Sequence, residues 1–218
     1  MLTGRIYCAL LLALFAVEST AEEVWITPTL RSVEVLHEGK VVTVERNQDR
    51  KHQIEGYYTY TSRKCPPFCL QPMVVAPGVE TVGELEVLAY LSRMRNGDSS
   101  LLLVDARTPK WPRRGMIPGA INVPWSELAT ESTADPALGE ILEGRFGARV
   151  RDGRWDFSNA KTLILYCNGM WCAQSSNAVH ALLRVNYPAQ KLKWYRGGMQ
   201  AWVTVGLSTV RLADGGQD

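Results

Sequence analysis

The sequence predicts an α/β domain, a parallel sheet covered by helices on both faces, with a small β-rich extension ahead of it. Three observations carry this. Leu101-Leu-Leu-Val-Asp105 and Thr162-Leu-Ile-Leu-Tyr166 are short continuous apolar runs, as strands buried on both faces are. Helical periodicities precede and follow them, and strands alternating with helices argue a parallel sheet. Upstream of residue 78, β-branched runs and turn residues replace the helical period.

In chain order, Val33-Glu-Val-Leu-His37 and Lys40-Val-Val-Thr-Val-Glu-Arg46 flank Glu38-Gly39, a hairpin signal. Gly56-Tyr-Tyr-Thr-Tyr-Thr61 reads as a third strand. Cys65-Pro-Pro-Phe-Cys69 and Pro72 exclude regular structure, because proline fixes φ and lacks a donor. Residues 22–77 are too few for an ample core, so this extension is expected to pack on the domain C-terminal to it. From Thr81, the residues Val82, Leu85, Leu88, Ala89 and Leu91 recur at helical spacing until Asn96-Gly97. After the Leu101 strand, Gly115 to Val123 reads as a loop and short strand, and Ser126 as the cap of a helix beginning at Glu127. Residues 131–160 carry mixed signals, with Trp155-Asp-Phe157 as an irregular element. The Thr162 strand runs into Cys167. Ala173 to Val185 is a helix, Lys191-Leu-Lys-Trp-Tyr195 a strand, and Met199, Trp202, Val203 and Val205 mark a last helix.

Composition narrows the class. With 46% hydrophobic and 21% charged residues the chain is able to bury a core, and it is neither disordered nor collagen-like. A net charge of +2 without basic blocks leaves no footprint for nucleic acid. Arg5, the uncharged run Ile6 to Val17, and the small residues Ser19 and Ala21 before Glu22 read as a cleavable export signal over residues 1–21. An uncleaved anchor is the alternative. The run is shorter than the ~20 residues that span a bilayer, and no later stretch is apolar enough, so no membrane span is expected after cleavage. The expected location is periplasmic or secreted, the expected first residue Glu22.

Cleavage removes Cys8 and leaves Cys65 and Cys69, spaced C-x3-C, and Cys167 and Cys172, spaced C-x4-C. An even number in an exported chain argues disulfides. A four-thiolate zinc site is the rival, but Pro66-Pro67 is a poor chelate hinge. Cys65 and Cys69 are thus disulfide candidates, with three readings: a staple for the extension, a redox relay to the second pair, or two bridges to Cys167 and Cys172 that silence them.

Ligands of such sheets bind beyond the carboxyl ends of the strands, where Cys167 stands. Asn168-Gly169-Met170-Trp171 forms a tight loop whose N–H groups are able to curl around the sulfur, with the positive end of a helix dipole behind. Such a nest favours thiolate. The alternatives are a buried inert cysteine and a disulfide with Cys172.

Four segments in order, Leu103-Val-Asp-Ala-Arg107, Gly115-Met-Ile-Pro-Gly-Ala-Ile-Asn-Val-Pro124, Leu165-Tyr-Cys-Asn-Gly169 and Tyr195-Arg-Gly-Gly-Met-Gln-Ala-Trp202, resemble the successive signatures of the rhodanese-like (sulfurtransferase) domain family. The resemblance covers residues 78–212, leaving 213–218 as a tail. It implies a five-stranded parallel sheet and an active loop from Cys167 to Cys172 in which Cys167 accepts a sulfane sulfur. It further implies that Asp105 and Arg107 end a strand near that loop, and that Gly197, Gly198 and Trp202 are structural. Two departures stand out. The last loop position, usually Arg or Thr in sulfurtransferases of this family, is Cys172, so the loop has no cation of its own. Met116 stands where the family often has His. Related phosphatases have a longer loop ending in Arg, and none lies between Cys167 and Arg184, which disfavours phosphoryl chemistry.

Cys172 opens a route of its own. Its thiolate is able to attack the sulfur of a Cys167 persulfide, expel hydrosulfide and close a disulfide. The alternative is a small packing residue. His180 shares a helix face with Asn177 and Arg184, which makes it a surface residue rather than a base. Trp111 and Trp171 either line a mouth or simply pack, and Arg113, Arg114 and Arg196 are the cations available to attract an anionic donor.

These residues fit three functions: an exported sulfurtransferase working through Cys167, a thiol-disulfide oxidoreductase using Cys167 and Cys172, and a catalytically idle domain that binds a periplasmic protein partner. The first takes small sulfur compounds and thiol or persulfide acceptors, and needs no cofactor and no metal.

Overall fold

A computed structural model describes residues 23–130 and 135–212; residues 1–21, expected to be an export signal, and residues 213–218, expected to be a tail, lie outside the described residues. The β-branched runs of the extension form the hairpin β1 (Ser32–His37) and β2 (Lys40–Glu45), paired antiparallel. Its turn places Glu38 at φ 48° and Gly39 at φ 76°, the left-handed pair that a two-residue hairpin requires.

The α/β part opens with β3 (Glu80–Val82) and α1 (Glu84–Arg95), followed by β4 (Leu101–Asp105) and β5 (Ile121–Asn122). Two short helices, α2 (Trp125–Leu128) and α3 (Pro136–Glu140), then a π-helical turn at Ile141–Arg145, lead to the small hairpin β6 (Arg149–Arg151) and β7 (Arg154–Asp156). The chain ends with β8 (Thr162–Tyr166), α4 (Gln174–Arg184), β9 (Leu192–Tyr195) and α5 (Gly198–Thr204). Five strands form one parallel sheet in the order β3-β9-β8-β4-β5. Asp105 lies opposite Tyr166, and Tyr166 opposite Tyr195, so the carboxyl ends of the three central strands are level and Cys167 begins the loop beyond them.

Alternation along each strand divides the core in two. Leu102, Val104, Leu163, Leu165, Leu192 and Trp194 face one side, with Leu128 of α2 and Ala178, Val179 and Leu182 of α4. Leu101, Leu103, Ile164, Tyr166 and Tyr195 face the other, against Val87, Leu88 and Leu91 of α1 and Met199 and Trp202 of α5. Val33, Val35 and Val44 of the hairpin join this second layer, so the extension packs on the domain as its size demanded. Each aliphatic side chain buried this way contributes about 1.5–3 kcal/mol.

Four local expectations need correction. Gly56–Thr59 is a 3-10 turn, not a strand; no sheet edge meets it, and its tyrosines anchor instead in the domain below. Thr81 and Val82, expected to open a helix, belong instead to the strand Glu80–Val82, which pairs with β9 before the helix begins at Glu84. Ser126 caps nothing: α2 begins at Trp125, two residues before the expected Glu127, behind Pro124, with Trp125 N–H donating to the Ala106 carbonyl at 2.9 Å. Trp155 sits in a regular hairpin turned by Asp152 and Gly153, both at positive φ. Among the described residues no helix is long and apolar enough to cross a membrane.

Candidate active site

Cys167 leaves β8 and turns at once into a closed loop. Cys172 N–H donates to the Gly169 carbonyl at 2.9 Å, and α5 holds the opposite side: Met199 N–H reaches the Cys167 carbonyl at 3.0 Å and Gln200 N–H the Asn168 carbonyl at 2.9 Å. This docking requires glycine at 198. A Cβ there would stand 2.3 Å from the Cys167 carbonyl oxygen, and the residue's φ of 54° belongs to the left-handed region.

The sulfur is 2% exposed. Ser175 Oγ, in the first turn of α4, donates to Cys167 Sγ at 3.0 Å and itself accepts from Trp194 Nε1 at 2.9 Å. Burial alone raises the pKa of Cys167. Hydrogen bonds from the Cys172 thiol, the Ser175 hydroxyl and the N–H groups of Ser175 and Gly169 outweigh it and bring the thiol down to about 7. Cys172 moves the other way: its hydrogen bond to Cys167, then its burial, hold its proton on. Of the two, Cys167 is the one whose surroundings favour the thiolate; as a thiol it donates to the Cys172 carbonyl at 3.2 Å.

Alkylation of Cys167 should therefore rise tenfold per pH unit up to pH ~7 and level off above it. Cys172→Ala, which removes a donor, should move that midpoint upward; Cys172→Ser, which restores one, should bring it back. Peptide-resolved alkylation rates between pH 5 and 10 give the answer, and identical midpoints in all three proteins rule out the hydrogen bond as the cause.

Asp105 and Arg107 lie beneath the loop, both fully buried and paired through Nε at 2.8 Å and through the outer guanidinium nitrogen. Burial works against the Arg107 charge, and Asp105 more than offsets it. The rest of the guanidinium fan is used on the Gly115 carbonyl at 2.7 Å, Asn168 Oδ1 at 3.2 Å and Tyr58 Oη at 3.1 Å. Tyr166 Oη donates to Asp105 at 2.9 Å. Arg107 thus shapes the loop, and its charge is taken up by Asp105.

The extension crosses over this loop. Tyr58 Oη donates to Asn168 Oδ1 at 3.2 Å, and Gln200 joins Tyr58 to Trp171, donating to the Tyr58 carbonyl at 3.1 Å and accepting from Trp171 Nε1 at 2.6 Å. Arg63 lies over the rings of Tyr57 and Trp171, 3.9 and 4.0 Å from their centroids. Phe68 meets Trp171 edge-on at 5.7 Å, and Gln71 N–H donates to the Met170 carbonyl at 2.8 Å. Cys65 and Cys69 are joined to each other, whereas Cys167 and Cys172 are free thiols.

A cleft of about 590 Å³ opens beside the loop, walled by Tyr57, Trp111 and Trp171, with Lys110 and Arg114 at its side; Cys172 lines it and Cys167 does not. Trp111 and Trp171 thus stand in the wall of this cleft. Arg196 does not face it: its guanidinium is held by the carbonyls of Gln71 and Pro72, where it ties down the extension. Met170 is 41% exposed and points away from the sulfur, into a second groove. His180 is on the surface.

Sequence reasoning missed Ser175, Gln200 and Tyr58. A hydroxyl in the first turn of the helix behind a nucleophile is a signal for Ser175. Tyr58 carried no signal, because its role depends on where a turn of the extension crosses the domain.

No curated protein matches this chain. Among solved structures it is similar to the human single-domain sulfurtransferase TSTD1, with 24% identity over 58% of this chain and 96% of that one and a TM-score of 0.40. A protein from Bacillus halodurans matches with 17% identity over 61% and 77% of the two chains and a TM-score of 0.43. A rhodanese with anions from E. coli matches with 21% identity over 51% and 99%, at 0.32. A family model described as rhodanese-like domain matches residues 87–204, more than half of the sequence and the span that holds β4, β8, the Cys167 loop and α5. This chain belongs to the rhodanese-like domain family.

Proposed function

We propose that this protein is an exported sulfurtransferase that carries sulfane sulfur as a persulfide on Cys167. The observation that carries the reading is the placement of the sulfur, buried at the carboxyl end of β8 in a closed loop and accepting from Ser175 Oγ at 3.0 Å, contacts that favour its thiolate. The Cys167 thiolate attacks the outer sulfur of a donor, the bond between the donor's two sulfurs breaks, and the donor leaves with the electron pair, as sulfite does from thiosulfate. The loop N–H groups then stabilise the terminal persulfide sulfur. An acceptor thiolate takes that sulfur and returns Cys167 to thiolate. Export rests on the apolar run before Glu22.

The cation supply favours organic persulfides over thiosulfate as donor. Arg107 is neutralised by Asp105, and position 172 is a thiol. A dianion would lose most of its hydration and find no guanidinium clamp in the loop, whereas a singly charged persulfide loses less. Cys172→Arg should lower the KM for thiosulfate, measured with fully reduced protein. If thiosulfate kinetics do not move, the missing cation is not what sets donor preference.

The second free thiol of the loop, Cys172, favours a second reading, a dithiol oxidoreductase. Once the Cys167 sulfur is capped as a persulfide, Cys172 thiolate is able to displace hydrosulfide and close the C-x4-C disulfide. Cys172→Ser removes that attacker and should lengthen the persulfide lifetime several-fold, read as decay of the +32 Da species by intact mass. An unchanged lifetime leaves Cys172 a hydrogen-bond donor and the chain a one-cysteine transferase.

A further inference from the structure

The active loop is covered by the extension. Five residues between 57 and 71 touch it: Tyr57, Tyr58, Arg63, Phe68 and Gln71. The Cys65–Cys69 disulfide sits within that span, with Phe68 between its two cysteines and packed on Trp171. Cys65 is exposed, unlike the buried Cys167 and Cys172.

A second groove, of about 740 Å³, lies on the far side of Trp171 from the cleft, and Cys65 lines it. Its apolar walls face water: Leu70 is 76% exposed, Tyr60 64%, Met170 41% and Val205 38%. A disulfide open to solvent within an apolar groove, and sharing Trp171 with a nucleophilic cysteine, fits one kind of occupant: a protein segment that lays apolar side chains in the groove and brings a thiol to Cys65.

We propose that Cys65–Cys69 is a second redox site, reduced by the dithiol of a partner protein docked in this groove, and that its reduction releases the strap from the active loop. The partner's thiolate attacks Cys65 Sγ, forming a mixed disulfide and expelling Cys69 as thiolate. The partner's second thiolate resolves the mixed disulfide and frees Cys65. The partner loses two electrons and becomes a disulfide; the strap gains two electrons and, on protonation, two protons. With the ring open, Phe68 is no longer held against Trp171, and the cleft over Cys172 widens. The proposal rests on the sulfurtransferase reading only for what the strap controls.

The test uses the intact mature protein and a readout that requires no sulfur transfer, so it stands whatever Cys167 proves to do. Iodoacetamide labelling of Cys172, resolved by peptide mass, should be at least about tenfold faster in Cys65→Ser/Cys69→Ser than in the oxidised wild type. Tyr57→Ala, which loosens the strap with the disulfide intact, should give a similar gain and covers the case in which the double variant misfolds. Docking is probed with reduced thioredoxin as the dithiol protein and dithiothreitol as the small dithiol. Thioredoxin should reduce Cys65–Cys69 faster per dithiol than dithiothreitol does. Leu70→Asp/Val205→Asp should slow thioredoxin several-fold and leave dithiothreitol unchanged. Equal labelling of Cys172 in the wild type and whichever opened variants fold overturns the strap. Thioredoxin no faster than dithiothreitol, or indifferent to the groove substitutions, overturns the docking site.

Discussion

Cys167→Ser protein given a sulfane donor should gain no 32 Da adduct, and any sulfur transfer by the protein should fall by at least about three orders of magnitude. The reason is ionisation. A serine hydroxyl in the same nest keeps its proton near neutral pH, so the N–H groups of Gly169 and Ser175 have no anion to hold, whereas the thiol is drawn down to about 7. Intact mass before and after thiosulfate or a low-molecular-weight persulfide, with sulfite release as the rate assay, separates the outcomes. Cys172→Ser is the control, and it should still take up the sulfur. Should Cys167→Ser retain full transfer while Cys172→Ser loses it, the nucleophile is Cys172, which the cleft reaches first.

The parts of this site legible in the sequence are those fixed by short-range rules. Leu101–Asp105 and Thr162–Tyr166 could be read as buried strands because a strand covered on both faces has no polar side to show. Cys167 could then be placed at a carboxyl end from its position after Tyr166 alone. What was not legible depends on chain crossing. Gly56–Thr61 has the β-branched and aromatic content of a strand, but strand content needs a partner edge, and this segment passes over the active loop where none exists. Arg196 looked like a free cation because nothing local to it shows that Gln71 and Pro72 will present two carbonyls there. The Asp152-Gly153 dipeptide is itself a hairpin-turn signal. Its flanking strands, Arg149–Arg151 and Arg154–Asp156, are short and largely exposed, so they carry no apolar alternation to draw attention.

Arg107→Ala should be the most destabilising single change at the site that leaves the nucleophile in place. It strips the partner from Asp105, a carboxylate with no exposed surface at the end of the central strand β4. Breaking a buried pair from one side costs about 3–5 kcal/mol, because the remaining charge is left in a medium that cannot solvate it. For a chain of this length that is a fall in Tm of roughly 6–20 °C. Asp105→Asn in the same protein removes the stranded charge and should recover part of the loss, so the two changes together cost less than their sum. Calorimetry on the two single variants and the double variant closes the cycle. A cost below about 1 kcal/mol for Arg107→Ala would mean that water reaches Asp105 and the pair does not hold the strand end. The same substitution removes the donor shared by Asn168 and Tyr58. Sulfur uptake in Arg107→Ala should therefore stay low even under conditions where the protein is fully folded. The double variant, partly restabilised but still without that donor, should remain slow. Stability and uptake thus part company in the double variant, which separates the ion pair's part in holding β4 from the guanidinium's part in setting the Cys167 loop.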